Sequence, residues 1–192
     1  MKTILILLQV LIAVTIYSQT NFLIVDNHVN IRTKPDIKSE ILGQYNKNKI
    51  ISGEFPEYVS GDAMDSNNFW IKTNYDSVAA YVNSRFAKWI VDSIKMPEGN
   101  FYFIADNFNF GKYFIYFEYK SVKLYFNGSF HNLDFPNSKI DALTKLECYA
   151  LEGKKILIIC RYQFGEQPGD FIDKSEIYLM NSDNLRINKI SE

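Results

Sequence analysis

The sequence has few of the residues that bind metals or nucleic acids. It contains two histidines and two cysteines among 192 residues, and its 21 basic and 22 acidic residues give a net charge of −1. No cluster of lysine and arginine occurs, so the basic footprint that attracts a phosphate backbone is absent. A polybasic patch for an anionic membrane surface is absent for the same reason. The composition therefore predicts no nucleic-acid partner.

Combinations of residues that could catalyse a reaction are equally scarce. Thiol catalysis needs an imidazole within reach of a cysteine, and the chain offers His28 and His131, which precedes both Cys148 and Cys160. No phosphate loop, nucleophile elbow or group of zinc ligands appears. We therefore predict that the protein is not an enzyme and has no catalytic residue, metal or cofactor. Glycoside hydrolysis needs only two carboxylates and stays open as an alternative.

The N-terminus carries an export pattern. Lys2 precedes an apolar run over residues 4–16, and a small Ser18 follows at the position before cleavage. This order predicts a signal peptide over residues 1–18 and a secreted or periplasmic protein. The alternative is a membrane anchor, but the run is shorter than the roughly 20 residues that a bilayer span requires. We therefore expect no stable membrane span after signal removal.

Strand signals dominate the chain after residue 20. Short runs of β-branched and aromatic residues alternate with turn pairs such as Asn127-Gly128 and Glu152-Gly153. Such alternation is typical of antiparallel sheets. Only residues 82–94 and 137–143 have a weak helical periodicity. The sequence therefore predicts an all-β protein.

Four motifs occur in order in the N-terminal half. They are Val29-Asn30-Ile31-Arg32 followed by Pro35, then Ile41-Leu42-Gly43, then Trp70-Ile71-Lys72, and finally Ala80-Tyr81-Val82 with Phe86. In this order and spacing, residues of about 22–90 resemble the bacterial SH3-like (SH3b) domain family. Two features depart from the family pattern: Ala80 replaces a glycine, and the loop over residues 54–68 is long and acidic.

The resemblance implies a partly open barrel of five or six strands that recognises cell-wall peptide or glycan. On that barrel the candidate ligand-binding residues are Arg32, Tyr58, Trp70 and Tyr81. Tyrosine offers an apolar ring with a polar tip, and Arg32 has the geometry to hold a carboxylate. Two of them have structural alternatives. Trp70 packs across the barrel mouth, or Arg32 fixes its loop by hydrogen bonds to backbone carbonyls.

Two domains are expected. Pro97 and Gly99 lie in a polar context within residues 93–100, and the aromatic content rises after them. We predict an SH3b-like barrel over residues 20–93 and an aromatic-rich antiparallel β-domain over residues 97–192. The second domain is expected to contain five to seven strands arranged as a sandwich, meander or small barrel.

The two cysteines are expected to lie in neighbouring strands. Residues 146–151 and 156–162 have strand character around a turn over residues 152–155. A hairpin centred on residue 154 sets Cys148 opposite Cys160, and an oxidising compartment permits a disulfide between them. The alternative is two reduced cysteines packed as small apolar groups in the core.

These observations predict an exported, non-enzymatic SH3 domain-containing protein that binds the cell envelope by recognising peptidoglycan or a surface polymer. The alternative is a protein-interaction, inhibitor or immunity factor that acts in the periplasm or outside the cell. Such a factor would use sheet edges or the long loop to contact another envelope protein.

Overall fold

The structure is a computed structural model that describes residues 20–55, 69–110, 117–133, 135, 143–164 and 172–191. The strands are β1 (Thr20–Ile24), β2 (Val29–Arg32), β3 (Ile41–Tyr45), β4 (Ile50–Glu54), β5 (Trp70–Tyr75), β6 (Val78–Asn83), β7 (Ala87–Met96), β8 (Gly99–Phe110), β9 (Phe117–Phe126), β10 (Ser129–Asn132), β11 (Leu143–Leu151), β12 (Lys155–Phe164), β13 (Ile172–Asn181) and β14 (Ile187–Ser191). Within the described part of the chain, no helix occurs.

The all-β class predicted from the sequence is confirmed. The strands form two antiparallel groups that share β7, because its first three residues pair with β1 and the residues from Ile90 onward pair with β8. The first group has the order β7-β1-β4-β5-β6-β2-β3. The second continues from β7 through β8, β9, β11, β12 and β13 to β14, with β10 paired to β9. An N-terminal barrel-like group is thus followed by a second antiparallel β-domain.

The helical periodicity over residues 82–94 is a wrong indication. These residues end β6 and form most of β7, and a turn separates the two strands. Ser84 fixes that turn from the core side, because its side chain is fully buried and its Oγ accepts a hydrogen bond from Phe69 N at 3.0 Å. The other segment, residues 137–143, lies outside the described residues except for Leu143, which begins β11.

The first group encloses a core that is built by alternation along each strand. Ile71 and Thr73 of β5 face inward beside their register partners Val82 and Ala80 of β6, and all four are buried. Burying an aliphatic side chain of this size contributes about 1.5–3 kcal/mol. β3 is the last strand in the order and has no second pairing among the described residues, so it forms an open edge of this group.

The second group also has an apolar interior. Phe103 of β8, Leu124 of β9 and Ile158 of β12 are fully buried and belong to one core cluster. A hydrogen bond between a backbone amide and a side chain connects β11 to β7 within this group. The Cys148 amide of β11 donates a hydrogen bond to Asp92 Oδ2 of β7 at 2.6 Å, next to an irregularity in the β7–β8 register. In the described part of this region, seven strands, β8 to β14, follow β7, in agreement with the predicted five to seven.

The two groups share the main core cluster and, in addition, a small apolar cluster. Leu23 of β1, Ile104 of β8 and Tyr125 of β9 are buried together in a cluster separate from the main core. The Tyr125 hydroxyl donates a hydrogen bond to Asn48 Oδ1 in the turn between β3 and β4. The predicted domain limits at residues 93 and 97 fall at the end of β7, the strand that both groups share.

Candidate functional site

A cleft opens in the first group where β4 and β5 diverge. The two strands pair at Gly53↔Thr73 and Glu54↔Lys72, and the register does not continue toward the start of β4. The space between them has a volume of about 410 Å³. We call it the tyrosine cleft, and its lining consists of Tyr45, Lys49, Ile50, Ile51, Ser52, Thr73, Asn74, Tyr75 and Asp76.

Two local features set the width of this opening. A Cβ atom at Gly53 would lie 2.6 Å from Ile71 Cγ2 and 2.9 Å from Lys72 O, so only glycine permits the close approach of β4 to β5 at this point. At the residue before Gly53 in β4, the Ser52 carbonyl oxygen accepts a hydrogen bond from the Thr73 hydroxyl at 2.7 Å. That carbonyl is therefore satisfied by a side chain, and the strands can separate without leaving it unpaired.

Two tyrosine rings form one wall of the cleft. Tyr45 at the end of β3 and Tyr75 at the end of β5 meet edge to face, with centroids 5.8 Å apart. Gly43 makes room for them, since a Cβ atom there would lie 2.4 Å from Tyr75 Oη. Burial, together with the neighbouring Tyr75 and Asp76, raises the pKa of the Tyr45 phenol. Both rings thus offer apolar surface, and the Tyr45 hydroxyl stays protonated and able to donate.

The turn between β5 and β6 places a carboxylate at the cleft. Tyr75 pairs with Val78, so Asp76 and Ser77 are the two turn residues, with φ of 49° and 66°. Positive φ at both central residues matches the twist of a hairpin, but such turns favour Asn-Gly or Asp-Gly. Ser77 therefore holds a conformation that L-residues disfavour.

The lining supports binding of a polar ligand with apolar faces. Lys49 and Asp76 place one positive and one negative charge at the cleft, and Ser52, Thr73 and Asn74 add neutral donors and acceptors. Aromatic rings beside a few polar groups are the usual composition of small-ligand sites. The lining contains no histidine or cysteine among its described residues. Its side chains can therefore bind and orient a ligand, and they include no nucleophile paired with an imidazole base.

The residues predicted from the sequence lie elsewhere on the first group. Arg32 pairs in register with Tyr81, and Tyr81 pairs on its other side with Lys72. Directly paired residues share one face of a sheet, and their chain neighbours Thr73 and Ala80 are buried. Arg32, Lys72 and Tyr81 therefore form a row on the outer face, away from the core.

Trp70 shares this outer face, because it is two residues from Lys72 along β5, and it is half-buried. The Arg32 guanidinium donates a hydrogen bond to Ser39 O at 2.6 Å. It therefore fixes the β2–β3 loop through a backbone carbonyl, which is the second of the two roles predicted for it. Tyr58 lies outside the described residues. The structure thus brings three of the four predicted residues to one surface, and none of these three lines the tyrosine cleft.

The predicted register, which set Cys148 directly opposite Cys160, is wrong. Cys148 lies opposite Ile158, and Cys160 lies opposite Leu146, so the two cysteines are diagonal neighbours. Diagonal positions are roughly 7–8 Å apart, beyond the Cα separation that a disulfide normally spans. Both cysteines are free in the structure, Cys160 is fully buried, and Cys148 packs against the core. Burial raises the pKa of the Cys160 thiol to about 12 and raises that of Cys148 further.

Across the described residues, no three histidine, cysteine or acidic side chains are placed to hold a metal ion. No helix among them is long and apolar enough to cross a membrane. The predicted signal peptide, residues 1–18, lies outside the described residues, as does most of the long loop over residues 54–68.

Comparison with known proteins adds no relative: no protein-family model, curated protein or solved structure matches this chain. The fold and the site define an all-β protein with two antiparallel groups of strands and a tyrosine-lined cleft on the first group. The SH3b resemblance of residues 22–90 rests on the order of its motifs and stays a prediction.

Proposed function

We propose that this chain is an exported, non-enzymatic SH3 domain-containing protein that binds the cell envelope, with the tyrosine cleft as its recognition site. The observation that carries the proposal is the cleft itself, which joins two aromatic rings to a cation, an anion and neutral polar groups within about 410 Å³. The order of the N-terminal motifs and the export pattern before residue 20 support the same reading.

The chemistry of the cleft fits peptidoglycan or a related surface polymer. A sugar ring has apolar faces that pack on the Tyr45 and Tyr75 rings, and hydroxyl groups that bond to Ser52 and Asn74. A wall peptide carries both carboxylate and ammonium groups, which pair with Lys49 and Asp76 respectively. The lining side chains lie on or beside paired strands, so the ligand meets groups that are already positioned.

Retention of the mature protein by purified cell-wall sacculi tests this proposal. Wild type is expected to be retained above a control β-protein, and Tyr75→Ala is expected to weaken retention by about tenfold through loss of the ring contact. Tyr149→Ala is the matched control, because Tyr149 is an exposed tyrosine of β11 in the other group. Thermal melting of each variant shows whether it remains folded.

Two outcomes would contradict the proposal. Wild type that is not retained would exclude recognition of the cell wall. Retention that survives Tyr75→Ala but is lost in Tyr81→Ala would place recognition on the outer face of Arg32, Lys72 and Tyr81 instead of the cleft.

A second candidate function is binding to another envelope protein, as an inhibitor, immunity or interaction factor. The observation that favours it is the edge of β3, the last strand in the order, where Ile41 is 48% exposed and the preceding Ile37 is 71% exposed. Strand edges with exposed apolar residues accept an added strand from a partner. Ile41→Lys would disrupt this contact and leave retention by sacculi unchanged.

A further inference from the structure

The outer side of β11, β12 and β13 carries apolar side chains where an antiparallel sheet normally presents polar ones. Along β12, Ile156, Ile158 and Cys160 face the core and are fully buried. Leu157 and Ile159 alternate with them and therefore face outward. The neighbouring strands continue this surface through the register of the sheet. We call it the β12 face, and it consists of Tyr149, Leu151, Leu157, Ile159, Ile177 and Leu179.

The β12 face lies apart from the core. Within the described part of the chain, none of its six side chains belongs to a core cluster or packs against one. Tyr149 and Leu151 are 48% and 42% exposed, and the four side chains on β12 and β13 are partly exposed. A contiguous apolar surface with a polar rim typically marks an interaction site. This face is therefore suited to receive a partner.

Charged side chains border the β12 face at both ends of its strands. At one end Lys155 lies opposite Leu151, and at the other end Arg161 lies opposite Lys145. Glu147 accepts hydrogen bonds from Arg161 Nε at 2.7 Å and from Lys145 Nζ at 2.9 Å. Two positive charges and one negative charge leave this end with a net charge of +1. Both ends are therefore positive, and a complementary partner carries a negative charge at each end.

The dimensions of the β12 face fit one helix better than a second copy of the chain. Lys155 and Arg161 lie roughly 20 Å apart along β12, and β11 and β13 lie about 10 Å apart across it. The area between them is roughly 200 Å², well below the about 800 Å² that each partner buries in a standard interface. An α-helix is about 10 Å wide, and about 14 of its residues span 21 Å. One helix of about four turns therefore covers the face from one charged end to the other.

We propose that the β12 face is a docking site for one amphipathic helix of a partner protein, which carries an apolar stripe and an acidic residue at each end of it. The stripe packs on Leu157 and Ile159, and the acidic residues pair with Lys155 and with the cluster of Arg161 and Lys145. Residues about 14 positions apart lie on the same side of a helix, because they complete almost four turns. This site is separate from the tyrosine cleft. Purified sacculi are stripped of protein, so retention by sacculi does not depend on it.

Titration of the mature full-length protein with two synthetic helical peptides of about 18 residues tests the proposal. Both peptides carry one stripe of leucines in a background of alanine and glutamine; one has a glutamate at each end of the stripe, and the other has lysines there. The glutamate peptide is expected to bind with a Kd on the order of 100 μM, and the lysine peptide roughly tenfold more weakly. The amide chemical shifts that move should be those of Leu157, Ile159, Ile177 and Leu179.

Substitutions separate docking on this face from general stickiness of the peptide. Leu157→Thr should weaken binding of the glutamate peptide about tenfold. Val78→Thr is the matched control and should leave binding unchanged, because Val78 is an apolar strand residue of the first group that is 53% exposed. Thermal melting shows whether each variant is folded. Lys155→Glu needs no change in the apolar surface, and it should weaken binding of the glutamate peptide and strengthen that of the lysine peptide.

Three outcomes would overturn the proposal. They are no binding of the glutamate peptide, equal binding of the two peptides, and chemical shift changes confined to other surfaces. Binding to phosphatidylglycerol vesicles without binding to either peptide would assign the β12 face to a lipid surface instead.

Discussion

Replacing Glu176 with glutamine is expected to destabilise the protein by about 3 kcal/mol. The Glu176 carboxylate accepts hydrogen bonds from Tyr162 and Tyr178 at 2.6 Å each and from Lys189 Nζ at 2.7 Å. Both tyrosines are almost fully buried, and the side chains of Glu176 and Lys189 are only 15% and 16% exposed. Solvent therefore screens this ion pair little, unlike pairs on the surface.

The size of this destabilisation follows from the hydrogen bonds that glutamine cannot make at position 176. Its amide oxygen can still accept from a tyrosine, but its NH₂ group is a donor and cannot replace the second carboxylate oxygen. The Lys189 ammonium then loses the carboxylate that faces it, and breaking a buried pair typically costs about 3–5 kcal/mol. The retained oxygen and the other interactions of Lys189 place the expected value at the lower end. Lys189→Met in the same chain removes the charge and should recover part of the loss.

Because of the Glu176 carboxylate, we expect the free energy of unfolding to depend on pH. Burial opposes its ionisation, but the hydrogen bonds from Lys189, Tyr162 and Tyr178 outweigh burial, so the pKa of Glu176 is lowered in the folded protein. Its contribution is therefore present above the unfolded value of about 4.3 and is lost as the pH falls through the lower folded value. The Glu176→Gln variant should lack this part of the acid sensitivity.

Urea unfolding at pH 7 and at successively lower pH measures both effects. Glu54→Gln is the control, because Glu54 pairs with Lys72 at 3.4 Å with both side chains more than a third exposed, and its loss should cost less than about 1 kcal/mol. A Glu176→Gln variant that loses no more stability than Glu54→Gln, or that keeps the wild-type pH profile, would refute the reasoning.

Three further substitutions or probes test other parts of the structure. Ser77→Gly should raise stability by roughly 0.5–1 kcal/mol, because glycine removes the left-handed strain at φ 66° at some entropic cost; a lower melting temperature would contradict that turn. Gly43→Ala should displace Tyr75, lower stability by about 1–3 kcal/mol and weaken retention by sacculi; an unchanged melting temperature would contradict the close contact. Cys148 and Cys160 should resist alkylation in the folded protein and take two labels after denaturation without reductant, as read by mass; fewer labels would reveal a disulfide.

The strands were predictable because their pattern is local. Alternation such as Ile71 and Thr73 against Ala80 and Val82 follows from the two-residue period of a strand, whatever the partner strand is. The Asn127-Gly128 turn was predictable for a similar reason, since its two residues tolerate the positive φ that such hairpins need. Local chemistry therefore defined most of the elements and the all-β class.

The register of the β11–β12 hairpin was not predictable in the same way. The turn is centred on Gly153, one residue before the predicted centre, and a shift of one residue at the centre moves every partner by two. Gly153 and Lys154 both adopt a positive φ in this turn, 71° and 61°, and lysine gives no sequence signal for that conformation. The error moved the partner of Cys148 from Ile158 to Cys160 and made a disulfide one of the two alternatives for these residues.

The tyrosine cleft also depends on contacts between distant segments. Tyr45 and Tyr75 belong to strands that are not neighbours in the sheet order, and they meet because Gly43 leaves space for a ring. From the sequence, Gly43 indicates only a bend in a strand. In the structure it lies beside a register shift in the β2–β3 pair, and its missing side chain determines where Tyr75 packs. No local pattern carries that information.

The shared strand β7 decides how the two groups can be studied. Its first residues complete the pairing of β1, and its later residues pair with β8, so no linker separates the groups. Leu23, which is fully buried against Ile104 and Tyr125, would become exposed on a fragment that ends at residue 93. Loss of function in such a fragment would reflect a disrupted β7 and an uncovered apolar surface. Point substitutions in the whole chain are therefore the means to assign binding to the tyrosine cleft or to the outer face of Arg32, Lys72 and Tyr81.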